Sequence, residues 1–185
     1  MKIAIIGAGH IGGTLTRRLA ALGHEVLVAN SRDPESLAPL AAESGATAGW
    51  ANEITPDADL VIVTVPEGRV PDLPEELLQW TPDTSPIVDT GNYYPQRDGR
   101  IEPLEGGMAE SRWVSNLLGR SVIKCFNNIN FRSLMDDGKP AGAPGRIALP
   151  VAGDDDAAKA TVMGLVNDLG FDPVDGGGLD ESWRQ

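Results

Sequence analysis

Near the amino terminus, Gly7-Ala8-Gly9-His10-Ile11-Gly12 spaces three glycines as G-x-G-x-x-G. This is a chemistry of main chain rather than of side chains. Gly7 permits a tight turn, Gly9 lets the backbone approach a pyrophosphate, and Gly12 lets a helix pack closely on the strand before it. A helix that starts at His10 and Ile11 turns its unpaired N–H groups and its positive dipole end towards the phosphates. The plain alternative is a tight strand-to-helix turn that binds nothing.

A second strand should close near Ala29, and the residue after it decides which dinucleotide fits. An acid there accepts hydrogen bonds from ribose hydroxyls and repels a 2′-phosphate. The chain has Asn30-Ser31-Arg32 instead. Asn30 removes the repulsion, Ser31 offers a hydroxyl, and the Arg32 guanidinium can grip a phosphate or stack on an adenine. The expectation is NADP(H), against the alternative of a solvated loop arginine.

Parallel sheets bind ligands at the carboxyl ends of their strands, which singles out three further stretches. Thr64-Val65-Pro66 would border the ribose and diphosphate. Thr90-Gly91-Asn92-Tyr93-Tyr94 combines a close-approach glycine with two tyrosines, which either stack on a ring system or pack their own loop down. Asn127-Asn128-Ile129 leaves another strand with two amides, which either face the nicotinamide and its reaction partner or cap the following helix. Asn92, Tyr93, Tyr94, Asn127, Asn128 and Ile129 are thus the candidates for the hydride-transfer site. No metal is expected. Asp154-Asp155-Asp156 reads as the acidic start of a helix, and His10, His24 and Cys125 have no partner of nucleophile or zinc spacing.

The elements that must position these residues alternate. Lys2–Ile6 is an unbroken apolar run, the pattern of a strand buried on both faces. Ile11–Leu22 repeats apolar residues at helical spacing and stops at Gly23. Strands are expected over Glu25–Ala29, shortly after Gly45, and over Asp59–Val65, Pro86–Asp89, Ser121–Phe126, Arg146–Val151 and Phe171–Val174. Helices are expected from Asp33-Pro34 through Glu43, near Ala51, and over Pro74–Trp80, Met108–Leu118 and Asp154–Leu169. Thr90–Gly107 reads as one long polar loop. Strand and helix in alternation give an α/β, doubly wound, mostly parallel sheet of the Rossmann type. Residues 1–185 form one such NADP-binding domain, because no loop divides the chain into two parts that could each bury a core.

Composition narrows the partners. Of 185 residues, 41% are hydrophobic and 23% charged, ordinary for a globule, and the net charge is −12. With no basic run, that charge argues against nucleic acid and against anionic membranes. Met1-Lys2 runs into too few apolar residues for a signal-peptide core or a membrane span. A single cysteine leaves no internal disulfide and fits a reducing compartment. The expected location is cytoplasmic.

The stretches GAGHIGGTLTRRLAALGHEV, NSR, VTVPEG, VDTGNYYPQRDG and IKCFNNI together resemble the NADP-dependent reductases of the deazaflavin coenzyme F420. That family shares its nucleotide fold with the cytosolic domain of a group of membrane metalloreductases. The resemblance implies that Ser31 and Arg32 hold the 2′-phosphate. It also implies that a deazaflavin or flavin stacks near the nicotinamide beside Asn127 to Ile129, and that the chain is a divergent member. Characterised members carry histidine or threonine where this chain has Asn127-Asn128, and relatives continue past the stretch Ser182-Trp183-Arg184-Gln185. A C-terminal tail covering the site or a subunit interface is an expectation on that ground, and a homodimer is a separate expectation.

The implied chemistry is hydride transfer between NADP(H) and a small-molecule acceptor, with the protein aligning the two and excluding water. Two alternatives stay open. One is an NADPH-dependent imine or ketone reductase, with Tyr93 or Tyr94 as proton donor. The other is a non-catalytic NADPH-binding module that senses redox state.

Overall fold

A computed structural model describes residues 1–185. Six strands form one parallel sheet: β1 (Lys2–Ile6), β2 (Glu25–Ala29), β3 (Thr47–Ala48), β4 (Leu60–Val63), β5 (Ile87–Asp89) and β6 (Ile123–Lys124). Their spatial order is β3-β2-β1-β4-β5-β6. The chain reverses direction across the sheet between β1 and β4, so the crevice at their carboxyl ends is the place where such folds bind ligands.

The apolar runs make this sheet for a simple reason. Side chains alternate faces along a strand, and here both faces are covered. Ile3, Ile5, Leu60 and Ile62 pack into one core, while Ala4, Ile6, Val61 and Val63 pack into the other. The first core lies under the helices α1 (His10–Ala21) and α2 (Ala38–Ser44), and α3 (Ala51–Ile54) contributes Ile54 to the second. The short helices α4 (Pro95–Asp98) and α5 (Glu102–Glu105) precede α6 (Glu110–Leu118), whose Trp113 and Val114 also join the second core. α7 (Phe131–Asp136) packs beside α1, and Arg18 ties the two by donating to the carbonyls of Leu134 and Met135.

The last two strands, β7 (Ala148–Val151) and β8 (Asp172–Asp175), form a separate parallel pair joined by helix α8 (Asp156–Asp168). A single antiparallel bridge between Lys124 and Ala152 attaches this pair to β6. No helix is long and apolar enough to cross a membrane.

Three expectations differ from the structure. Pro74–Trp80 is a run of turns rather than a helix, bonded Leu77 N to Pro74 O and Gln79 N to Glu76 O. Its buried residues are the adjacent Leu77 and Leu78, and a helix would place neighbours about 100° apart around its axis. The stretch from Pro34 to Ser44 divides into a 3₁₀ turn (Pro34–Leu37) and α2, because Pro39 has no N–H to continue one helix through the joint. The loop Thr90–Gly107 holds α4 and α5, each with proline in its first turn.

Candidate functional site

The carboxyl ends of β1, β2 and β4 open into a cleft of about 770 Å³. Gly7 to Gly9 form its floor, Asn30 to Arg32 one wall, and Thr64 to Pro66 the other. The three glycines do different jobs. Gly7 has φ 109°, and a Cβ there would stand 2.6 Å from the Thr64 carbonyl oxygen. A Cβ on Gly12 would stand 1.9 Å from the carbonyl oxygen of Gly7. Gly9 meets nothing within 4 Å. The fold therefore demands Gly7 and Gly12, whereas Gly9 leaves its side of the turn open to an approach from the cleft. α1 starts at that turn with no side-chain cap, so its first-turn N–H groups are available to an anion. A diphosphate fits this cradle. Ile11 has only its main chain to offer there, since its side chain packs on the core, and the His10 ring stacks on Phe131 at 4.3 Å.

On the β2 side, Asn30 is occupied by its own loop. Its Oδ1 accepts from Arg32 N at 2.8 Å, and its Nδ2 donates to Ser36 Oγ at 3.0 Å. This pins the turn that carries Ser31 and Arg32, both exposed. Arg32 takes part in no ion pair, unlike Arg69 across the cleft, which is held by Asp72 at 3.0 Å. Trp50, just before α3, and Asn52, within it, also line the cleft. Sequence reasoning missed them; the available signal was a tryptophan just after Gly49 in a polar stretch. A second groove of about 620 Å³ runs behind Arg32, between α2 and α7.

Towards β5 and β6 the chain folds over itself. The Thr64 hydroxyl donates to the Gly7 carbonyl and the buried Thr90 hydroxyl to the Val63 carbonyl, so both side chains brace the backbone. Asn92 and Asn127 are brought together across 35 residues of sequence. Asn92 Nδ2 donates to the Asn127 carbonyl at 2.8 Å, and Asn127 Nδ2 donates to Asn92 Oδ1 at 3.3 Å. Phe126, buried with φ 66°, makes the sharp turn that aims Asn127 this way. The cap of α7 is Asn130, whose side chain accepts from Arg132 N. Neither Asn127 nor Asn128 fills that role, and Asn128 is exposed. Ile129 faces inward as part of the core, away from any ligand.

The two tyrosines separate. Tyr93 packs on the second core, and its hydroxyl bonds within the loop, donating towards Gly99 O and Glu105 and accepting from Ile101 N. Tyr94 is exposed, with the Arg97 guanidinium 5.0 Å above its ring.

Beneath these loops lies a cluster that sequence reasoning did not find. Lys124 is buried in β6 and donates to the Gly91 carbonyl at 2.6 Å and to Glu110 Oε2 at 3.1 Å. Glu110 Oε1 accepts from Tyr93 N at 2.9 Å. Asp89 accepts from Gly91 N at 2.9 Å and from the Ser111 hydroxyl at 2.5 Å. Burial works against the Lys124 charge, but Asp89, Glu110 and Glu67 outweigh it and hold its pKa above the ordinary value. The signal was a lysine inside the apolar stretch SVIKCF. The acids at 154–156 do separate structural work: Asp155 caps α8, Asp154 pairs with Arg112 and Asp156 with Lys159. Cys125 is enclosed, and burial pushes its thiol pKa up, which leaves it inert.

Residues 2–93 match the family described as NADP oxidoreductase, coenzyme F420-dependent. A solved structure of the hypothetical protein SMa0349 from Sinorhizobium meliloti is 32% identical, with a TM-score of 0.81 over 98% of this chain and 87% of that one. A solved protein from Arthrobacter sp. FB24, described as an F420-dependent NADP-reductase, is 26% identical, with a TM-score of 0.78 over the same shares of the two chains. The chain belongs to this F420-dependent NADP oxidoreductase family. It is also 59% identical over 46 residues to the protein YjhV of Escherichia coli K12. That match takes in 25% of this chain and about a third, 34%, of YjhV. An imine reductase from Pseudomonas sp., at 19% identity and a TM-score of 0.66 over 97% of this chain and 56% of that one, shares the fold.

The open turn at Gly9, the uncapped start of α1 and the unpaired Arg32 all lie along the cleft at the switch point between β1 and β4.

Proposed function

We propose that this chain is an NADPH-dependent oxidoreductase that transfers a hydride between NADP(H) and a flavin-like or deazaflavin acceptor. The observation that carries the reading is Arg32. It is a guanidinium without an internal partner, on a turn fixed by Asn30, at the mouth of a cleft floored by the open Gly9. A 2′-phosphate supplies the charge that Arg32 lacks. The Trp50 ring borders the same cleft and offers a face for the adenine.

NADPH supplies the hydride, and the chain's own residues have three tasks. Gly7 to Gly12 and α1 hold the diphosphate, Ser31 and Arg32 on the turn pinned by Asn30 read the 2′-phosphate, and Thr64 to Pro66 with Gly91 and Asn127 border the nicotinamide half. The paired amides of Asn92 and Asn127 fix two loops against each other where the acceptor would stack. No side-chain nucleophile is required. Tyr93 has its hydroxyl bonded inside its own loop, so an imine or ketone acceptor would have to take its proton from Tyr94, whereas a ring acceptor needs neither. The small-molecule acceptor is the only partner this chemistry needs.

The test is to mix the protein and NADPH with a panel of flavins, deazaflavins, imines and ketones and follow the loss of reduced nicotinamide absorbance. Turnover with a ring acceptor, and none with imines or ketones, supports the reading. Tight NADPH binding with no oxidation by any acceptor would leave the redox-sensing module instead.

A further inference from the structure

Glu67 follows Pro66 at the exit of β4, and it is fully enclosed with neither carboxyl oxygen hydrogen-bonded. It is unique among the carboxylates of the fold in this. The groups facing it come from every neighbouring element: Asp89 on β5, Lys124 on β6, Glu110 on α6, and Asp98 with Arg97 on α4. Burial, then the charge of Asp89, push the Glu67 carboxyl up to about 9; Glu110 and Asp98 add to the effect and Lys124 opposes it. At neutral pH Glu67 is therefore an O–H donor in need of an acceptor.

The acceptor is at hand. Glu67 Oε1 and Asp89 Oδ1 lie 2.2 Å and 3.1 Å from the point where a Cβ on Gly91 would stand. Both oxygens thus lie against the same glycine, and the same Asp89 oxygen takes the Gly91 N–H. Two carboxylates that share a site cannot both ionise cheaply. We propose that the protonated Glu67 carboxyl donates to the Asp89 carboxylate beneath Gly91, forming a latch that positions the Gly91 peptide for the nicotinamide half of the cofactor. This rests on the NADP(H) reading above. Gly91 has no side chain to cushion the pair, so ionising Glu67 beside Asp89 pushes directly on the turn whose carbonyl Lys124 holds. Glu67 acts here as a positioning residue, through Asp89 and Gly91.

The test compares NADPH with 2′,5′-ADP, which carries the adenosine half alone, by calorimetric titration from about pH 7 to about pH 10, where the 2′-phosphate stays ionised. NADPH affinity should fall by up to about tenfold per pH unit above about 9, while 2′,5′-ADP affinity stays level. Glu67→Gln donates to Asp89 at every pH, so its NADPH affinity should not show that fall. Equal losses for both ligands, no loss for NADPH, or the same loss in Glu67→Gln would overturn the latch. If neither ligand binds at pH 7, the NADP(H) reading itself has failed. A ligand-free measurement decides the pair even then, and also if the variant does not fold. The wild-type protein should show the infrared carbonyl band of a protonated carboxylic acid at neutral pH, disappearing near pH 9; its absence at neutral pH sinks the proposal.

Discussion

The Lys124 ammonium donates to the carbonyl oxygen of Gly91 at 2.6 Å, joining the ends of β6 and β5 through a charge buried between two strands. Through Glu110 the same ammonium also reaches Tyr93 N, so one lysine sets the start of the loop that carries Gly91, Asn92 and Tyr93.

Lys124→Met should therefore cost about 3–5 kcal/mol of folding stability, the range for removing one partner of a buried ion pair. Asp89 and Glu110 would be left without their counter-charge. Denaturant unfolding measures it; a variant as stable as the parent would show that the cluster is not held together by that charge.

Arg32→Ala should weaken NADP binding by roughly 10–150-fold, the loss of about 1.5–3 kcal/mol from a charge-assisted contact. NAD binding should hardly change. Asn30→Asp should keep the turn, since a carboxylate still accepts from Arg32 N, yet place a negative charge beside the 2′-phosphate and shift preference towards NAD. Titration of both cofactors against each variant checks this; parallel losses would make Arg32 a residue of the fold.

Gly9→Ala and Gly12→Ala should fail in different ways. The space around Gly9 is open, so its alanine variant should melt like the parent and lose NADP affinity, because the methyl group stands where the pyrophosphate approaches. At Gly12 the methyl would meet the Gly7 carbonyl, so that variant should lose stability as well. Paired melting curves and NADP titrations separate the two outcomes.

Tyr93→Phe and Tyr94→Phe should each lower turnover with the true acceptor by less than about tenfold, below the range for loss of a general acid. Tyr93→Phe should also melt earlier, since its hydroxyl ties Gly99, Ile101 and Glu105 into one loop. A thousandfold loss in either variant with NADPH binding intact would point to an imine or ketone as acceptor.

Glu67 makes the fold sensitive to alkali. In the unfolded chain this carboxyl ionises near its ordinary 4.5, and in the folded chain near 9, so folding takes up a proton between those values. Stability should fall as pH rises through that window, with a slope of at most about 1.4 kcal/mol per pH unit from this group. Glu67→Gln should flatten the decline between about pH 5 and about pH 9 in thermal melts. An unchanged slope would mean that Glu67 ionises normally.

What the sequence determined by itself was local. Ile3 to Ile6 and Leu60 to Val63 specify strands buried on both faces because successive side chains must point opposite ways. Gly7, Gly9 and Gly12 specify the phosphate turn because their spacing acts within six residues, and Asn30 to Arg32 lie at the cleft because β2 ends where its apolar run ends. Tertiary structure decided everything that depends on which strands become neighbours. Asn92 meets Asn127, and Lys124 meets Asp89 and Gly91, only because β5 and β6 lie side by side. The enclosure of Glu67 depends in the same way on α4, α6 and two strands closing around it at once. In sequence Glu67 is an ordinary acid after a proline. Burial and a second carboxylate change its chemistry, and both are properties of neighbours brought in from 20 to 60 residues away.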